Sequence, residues 1–200
     1  MPEQEPTLER YQLKRIGGPE KIGGPSLPSG WAGPGPDPSE LGHPVPVSFV
    51  LARSTQASLG ITGLVAYSNG FRFAALAALR SADDGASLTR QVADQSLAAF
   101  PRALGISSLF LLRLQFSDQT TADNTGANSQ GEKEVRWLKI LGASGGGTRW
   151  NWDWFLSPLP PPGAITFVCE WPQLGLQGKY EIASARQILS AAKKSQRFFA

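Results

Sequence analysis

The 200-residue sequence predicts an all-β fold, an antiparallel β-sandwich of the immunoglobulin-like or jelly-roll-like kind, with a short C-terminal helix. About seven short segments alternate apolar and polar side chains, and turn residues separate them. The long helical patterns that a parallel α/β sheet requires between its strands are missing. An open barrel is the alternative fold, because alternation does not distinguish a closed sheet from two stacked sheets.

Residues 1–46 are predicted to form a Pro/Gly-rich flexible tail, followed by a single β-sandwich domain at residues 47–200. The tail holds ten of the sixteen prolines and eight of the twenty-two glycines. Proline lacks the backbone donor and glycine costs chain entropy, so such a stretch sustains neither a helix nor a sheet ladder. We interpret it first as a plain linker and second as a tether that carries a linear motif for a partner.

The domain is predicted to begin with a strand within residues 45–54 that starts beyond Pro46, followed by strands at residues 56–67 and 71–80. Asn69-Gly70, between the last two, predicts a type I′ hairpin turn, which needs positive φ at both central positions. Residues 81–105 break the strand rhythm. There Ser87 is predicted to cap a short helix that ends before Pro101.

The second half of the chain is predicted to contain a long exposed loop and a closing helix among further strands. The loop covers residues 118–134, where polar residues and glycine dominate. The helix covers residues 184–197, with Ser184 and Gln187 as a capping box. The further strands are predicted at residues 108–117, 135–141, 149–158, 164–171 and 178–183.

Composition excludes several classes of function. The net charge is +3, and the one basic cluster, at the end of the last helix, fits helix-dipole stabilisation better than nucleic-acid binding. A single cysteine forms no internal disulfide and suits a reducing compartment. The first ten residues lack a signal-peptide pattern, and no apolar run is long enough to cross a bilayer. We therefore expect a cytoplasmic protein without membrane contact, with its oligomeric state left open.

The segment "GASGGGTRWNWDWF", residues 142–155, combines a glycine run with three alternating tryptophans. A phosphate-binding P-loop would need a lysine and a following helix, and both are missing here. The glycines are therefore interpreted as a flexible connection between two strands. Trp150, Trp152 and Trp154 share one strand face, which favours core packing over an exposed stacking platform.

Candidate ligand-binding residues are those three tryptophans together with the carboxylates of Asp153 and Glu170. The two acids flank the turn "PLPPPG", so they could lie close together across a ladder and act as an acid–base pair. A solvated strand face is the favoured interpretation of both acids. His43 and Cys169, the single histidine and cysteine, are too few for a zinc site, so we expect no metal, no cofactor and no catalytic residues.

Several motifs resemble a group of uncharacterised proteins of high-GC actinobacteria. The shared features are the "YSNGF" hairpin, the glycine-rich loop before the Trp strand, the "PLPPPG" turn and the "FVCEWP" strand. They occur in the same order and span about half of the chain. The resemblance implies a cytoplasmic β-rich domain and carries no activity with it.

The leading hypothesis is a non-enzymatic β-sandwich that acts as an interaction module for a protein partner. It is favoured because the sequence lacks catalytic constellations and has a tail suited to tethering. The alternative hypothesis is a carbohydrate-binding or carbohydrate-active domain that uses Trp150, Trp152 and Trp154. Exposure of these three rings discriminates between the two.

Overall fold

The computed structural model describes residues 35–81, 110–125 and 136–199. These residues form twelve strands and one α-helix, α1, at Arg186–Ala192. The helix predicted within residues 81–105 and most of the predicted tail lie outside the described residues. The strands are β1 Glu40–Leu41, β2 His43–Pro44, β3 Phe49–Arg53, β4 Ala57–Tyr67, β5 Gly70–Leu79, β6 Leu111–Phe116, β7 Thr121–Asp123, β8 Trp137–Gly146, β9 Arg149–Ser157, β10 Ile165–Trp171, β11 Leu176–Ile182 and β12 Gln196–Arg197.

Two antiparallel sheets make up the body of the molecule. The six-stranded sheet has the order β2-β4-β5-β9-β8, with β3 also paired to β4. The four-stranded sheet has the order β11-β10-β6-β7, and β1 pairs with β12 in a separate two-stranded ribbon. Every strand pair is antiparallel. The predicted all-β sandwich is confirmed.

The core lies between the inner faces of the two sheets. Phe71 and Phe73 of β5 point inward from one sheet, and Ile165 and Phe167 of β10 point inward from the other. Phe73 meets Phe167 edge to face, with the ring centroids 5.4 Å apart. Burying each such side chain contributes about 1.5–3 kcal/mol, so the alternating pattern read from the sequence is what holds the sheets together.

The β4–β5 hairpin forms where the sequence predicts it, but its turn is different. The two turn residues are Ser68 and Asn69, and neither they nor Gly70 has a positive φ, so the type I′ prediction is wrong. The turn is held by tertiary hydrogen bonds instead. Ser68 donates its N–H and hydroxyl to the two carboxylate oxygens of Glu40, at 2.9 and 2.8 Å.

The sheets begin earlier in the chain than residue 47. Residues 40–41 and 43–44 are strands, and Val45 is buried and donates its N–H to Leu64 at 2.9 Å. Proline is tolerated in β2 because this strand lies at a sheet edge, where no ladder donor is needed on the outer side. Residues 35–46 are therefore part of the domain, and the tail prediction remains a prediction for residues 1–34.

The helix α1 is shorter than the predicted 184–197. It ends at Ala192 because the chain turns back and Gln196–Arg197 pairs with β1. Of the predicted capping box, the Ser184 half is present, since the Ser184 hydroxyl accepts a hydrogen bond from the N–H of Arg186 at 3.2 Å, whereas no return bond from Gln187 is found among the described residues. The predicted loop 118–134 likewise contains a strand, β7, which pairs with β6.

Candidate functional site

The tryptophans of β9 point into the space between the sheets. Trp150 is 7% exposed, Trp152 3% and Trp154 4%. Trp150 and Trp152 stack with centroids 6.3 Å apart, and Phe110 lies 6.0 Å from Trp152. Trp171 of β10 lies 5.8 Å from Trp152, so the rings of β9 and those of the four-stranded sheet form one aromatic cluster between the two sheets. These rings pack the core, and their faces are covered by one another.

Two indole groups of this cluster lack a hydrogen-bond partner. The Nε1 atoms of Trp150 and Trp154 are buried and find no acceptor among the described residues. An unpaired buried donor costs about 1–3 kcal/mol, which ring burial and stacking must offset. A sugar needs an exposed aromatic face to stack on, and these positions offer none.

The two candidate carboxylates are not brought together. Asp153 lies on the outer face of the six-stranded sheet, where its Oδ1 accepts an ion-pair contact of 2.9 Å from Arg72. Glu170 is exposed on β10, which pairs only with β6 and β11 among the described strands. Since the neighbours of both acids in sequence point into the core, the acids face opposite outer surfaces. The acid–base pair considered as the alternative does not form, because the strands flanking the turn belong to different sheets, and both acids lie on outer faces as the favoured interpretation expects.

The glycine run belongs mostly to strand β8 and not to a loop. Gly142 to Gly146 pair with Asp153 to Arg149 of β9, and the connecting turn is only Gly147 and Thr148. Gly145 has φ +153°, and a Cβ at this position would meet the backbone of Arg149 and Trp150. Gly145 therefore lets β8 lie close against the tryptophan strand, and the pairing of the run with β9 corrects the interpretation of a flexible connection.

The outer half of β8 is an exposed strand edge. β8 is the end strand of the six-stranded sheet, and residues 141–149 are all exposed. Its first half is anchored, since Arg136 reaches Asp118 at 3.2 Å and Thr120 in the β6–β7 turn. Beyond the bulge between Ile140 and Gly142, β9 is the only strand paired with β8 in the described segments. An unpaired strand edge presents a row of N–H and C=O groups with which another strand can pair.

The opposite edge of this sheet is closed to strand pairing along β2. The N–H of Val45 points inward to Leu64, so the residue before it, the last of β2, would direct its N–H outward. That residue is Pro44, and Pro46 follows just beyond the strand, so neither position has an N–H to offer. Of these two edges, β8 is the one whose donors are intact. Sequence reasoning missed this contrast because strand order is not visible in a local pattern.

The described residues offer little support for nucleophilic catalysis or for metal binding. Cys169 is fully buried in β10, and burial together with the charge of Glu170 raises the pKa of its thiol to about 12. Such a thiol stays protonated and unreactive near neutral pH. Within residues 35–81, 110–125 and 136–199, no three His, Cys, Asp or Glu side chains gather as a metal site.

The fold and the site together define an antiparallel β-sandwich in which the outer half of β8 is an exposed strand edge. No family model, no curated protein and no solved structure matches the chain. In the part of the chain that the structure describes, no helix combines the length and the apolar character that a membrane span requires.

Proposed function

We propose that this protein is a non-enzymatic binding module that takes up an extended segment of a protein partner along the outer edge of β8. The observation behind the proposal is the exposure of the strand end from Leu141 to Gly146, with β9 as its single strand partner among the described residues. Strand addition to such an edge supplies affinity through backbone hydrogen bonds.

The residues of β8 suit this mode of binding. The segment Trp137–Gly146 contains no proline, so every residue keeps the N–H that a partner strand requires. From Gly142 onward the side chains are Gly, Ala or Ser, which leave room for a second backbone to approach. Trp137 and Leu141 are 45% and 39% exposed and offer apolar surface beside the edge.

The expected partner segment is extended, free of proline and carries an apolar side chain that packs on Leu141. Each backbone hydrogen bond contributes about 0.5–1.5 kcal/mol net, and ordering the segment costs part of that gain. We therefore expect a Kd in the micromolar range for an isolated peptide of this kind.

A photo-crosslinking residue at Ser144 of the full-length protein, expressed in cells of its source organism, would identify the segment bound to the edge. The same residue at Lys179, which is exposed on β11 in the other sheet, serves as the matched control. The crosslinked segment is then synthesised and titrated against the purified protein. We expect saturable binding and slowed amide exchange across residues 142–146.

Proline substitutions separate edge binding from other contacts. Ala143→Pro and Ser144→Pro remove neighbouring N–H groups, which point to opposite sides of the strand. The variant that removes the outward N–H should keep its fold and weaken peptide binding about tenfold, whereas the other should lose stability.

Three outcomes would contradict the proposal. The first is equal crosslinking from positions 144 and 179, and the second is peptide binding that leaves β8 amide exchange unchanged. The third is a crosslink from Ser144 to a second copy of the chain, with a dimer seen by light scattering. That result would replace the heterologous partner by self-association through the same edge.

A further inference from the structure

We infer that the groove between β2 and α1 is a binding site for the phosphate group of a small soluble molecule. This inference is independent of the proposed function, since β2 and β8 are at opposite ends of the six-stranded sheet. The groove has a volume of about 470 Å³ and is lined by residues 43–46 on one side and by α1 with its last turn on the other.

Several side chains with hydrogen-bond donors border the groove, whose floor is mostly apolar. Arg186, Ser190 and Lys194 recur at intervals of four, which places them along one side of α1 and the turn that follows it. Gln187 also lines the groove, and His43 faces it from β2. Pro44 and Pro46 restrict the backbone of the opposite wall, so that wall keeps its shape when a ligand binds.

The charge of the groove is one-sided. Its lining contributes two permanent cations and an imidazole but no carboxylate. In the described residues, neither Arg186 nor Lys194 has an acidic partner, because the ion pairs found there involve other side chains. Glu40 lies near the end of α1, yet its oxygens are occupied by Ser68 and it does not line the groove.

This set of side chains matches a phosphate group better than a carboxylate. A phosphate monoester carries a charge of about −1.5 to −2 at neutral pH and three acceptor oxygens. The guanidinium of Arg186 can bond two of these oxygens at once, and Lys194 adds a point charge. Ser190 and Gln187 supply neutral donors. A carboxylate offers one charge and two oxygens, so it would satisfy fewer of these groups.

The single histidine makes the test specific to this groove. His43 is the only histidine of the chain, so its imidazole proton resonances report on the groove without further assignment. Purified full-length protein is titrated at fixed pH and ionic strength with inorganic phosphate, with glycerol 3-phosphate and with acetate. We expect a saturable shift with a Kd of about 1 mM or tighter for one of the phosphates, and a much weaker response to acetate.

Charge-removing variants locate the binding. Arg186→Gln and Lys194→Gln should each raise the Kd about tenfold, because each removes a charge-assisted contact. Lys179→Gln removes one positive charge from β11 in the other sheet and should leave the Kd unchanged. The three side chains are exposed, so circular dichroism should show an unaltered fold.

The comparison of inorganic phosphate with glycerol 3-phosphate shows whether the free ion or an esterified phosphate is the better ligand. A shift that rises linearly without saturation would overturn the inference. So would an equal response to acetate, or a loss of affinity in Lys179→Gln that matches the loss in Arg186→Gln. If a groove variant fails to fold, the wild-type titrations with phosphate and acetate still decide the question.

Discussion

At the scale of single residues, Gly70 shows that a glycine can be required for its size alone. Its φ is not positive, so the turn before it makes no demand for left-handed backbone. A Cβ at this position would overlap the carbonyl oxygen of Leu156 and lie 2.8 Å from the ring of Phe155. The close approach of β9 to β5 at the hairpin end therefore depends on the missing side chain.

Substitution of Gly70 by alanine should destabilise the protein by about 1–3 kcal/mol, because the new methyl group displaces backbone rather than a flexible side chain. The matched control is Gly142→Ala, where a Cβ meets nothing within 4 Å and φ is ordinary. That variant should be neutral or more stable by up to about 1 kcal/mol. Urea denaturation of both variants measures the difference, and equal midpoints would contradict this explanation.

At the scale of elements, Glu40 joins three parts of the chain that are distant in sequence. It lies in β1, which pairs with β12 after α1, and it accepts two hydrogen bonds from Ser68 in the β4–β5 turn. Burial by itself raises the pKa of this carboxyl, but the hydrogen bonds that it accepts, among them the two from Ser68, outweigh burial and leave the pKa below its ordinary value. The ionised form is thus the one that stabilises the fold.

Acid should weaken this junction. A carboxyl whose pKa is lower in the folded state contributes stability above its unfolded pKa and loses it as pH falls through the folded pKa. Glu40→Gln should therefore cost about 1–3 kcal/mol at pH 7 and progressively less as the pH is lowered below the ordinary range of glutamate. Denaturation midpoints of both proteins across this pH range test the expectation, and a constant difference would contradict it.

At the scale of the whole molecule, Cys169 reports on opening of the sandwich. It lies in the middle of β10 with no exposed surface, and both flanking strands, β6 and β11, are paired along it. A reagent can reach the thiol only when the sheets separate. The raised thiol pKa keeps the group protonated in the folded state at neutral pH.

Labelling of Cys169 by a thiol reagent should therefore follow the free energy of global unfolding. The rate should be slow in buffer and rise with urea along the slope of the equilibrium transition. Because the chain has one cysteine, Cys169→Ala provides a blank, and fully denatured protein gives the maximal rate. Fast labelling in buffer alone would show that β10 opens locally.

The strands could be predicted from sequence because their cause is local. Alternation in "RWNWDWF" places Trp150, Trp152 and Trp154 on the buried face, and the favoured core-packing interpretation agrees with their burial. Elements held by distant partners could not be predicted in this way. Residues 43–44 pair as a strand despite their proline because β4 lies beside them, and residues 196–197 leave the helical pattern to pair with β1.

Features of the candidate site also divide into those that a local sequence pattern determines and those that distant strand partners determine. Strand order decides which acids face each other. Asp153 and Glu170 lie on consecutive strands, but β9 and β10 belong to different sheets, so proximity in sequence does not bring the two acids together. The exposed edge of β8 was equally hidden, since the glycine run indicates flexibility until its ladder with β9 is seen. The sequence does contain one usable signal: prolines at positions 44 and 46 mark an edge strand.

The unequal edges of the six-stranded sheet also limit how far such molecules can associate. A sheet with two open edges can add copies end to end without limit, which is the route to filaments. Here the donors missing at Pro44 and Pro46 block growth along β2, while β8 accepts one strand. Association that uses the β8 edge of one molecule and the β2 edge of the next therefore stops after a single addition, and its product is a discrete complex instead of a fibre.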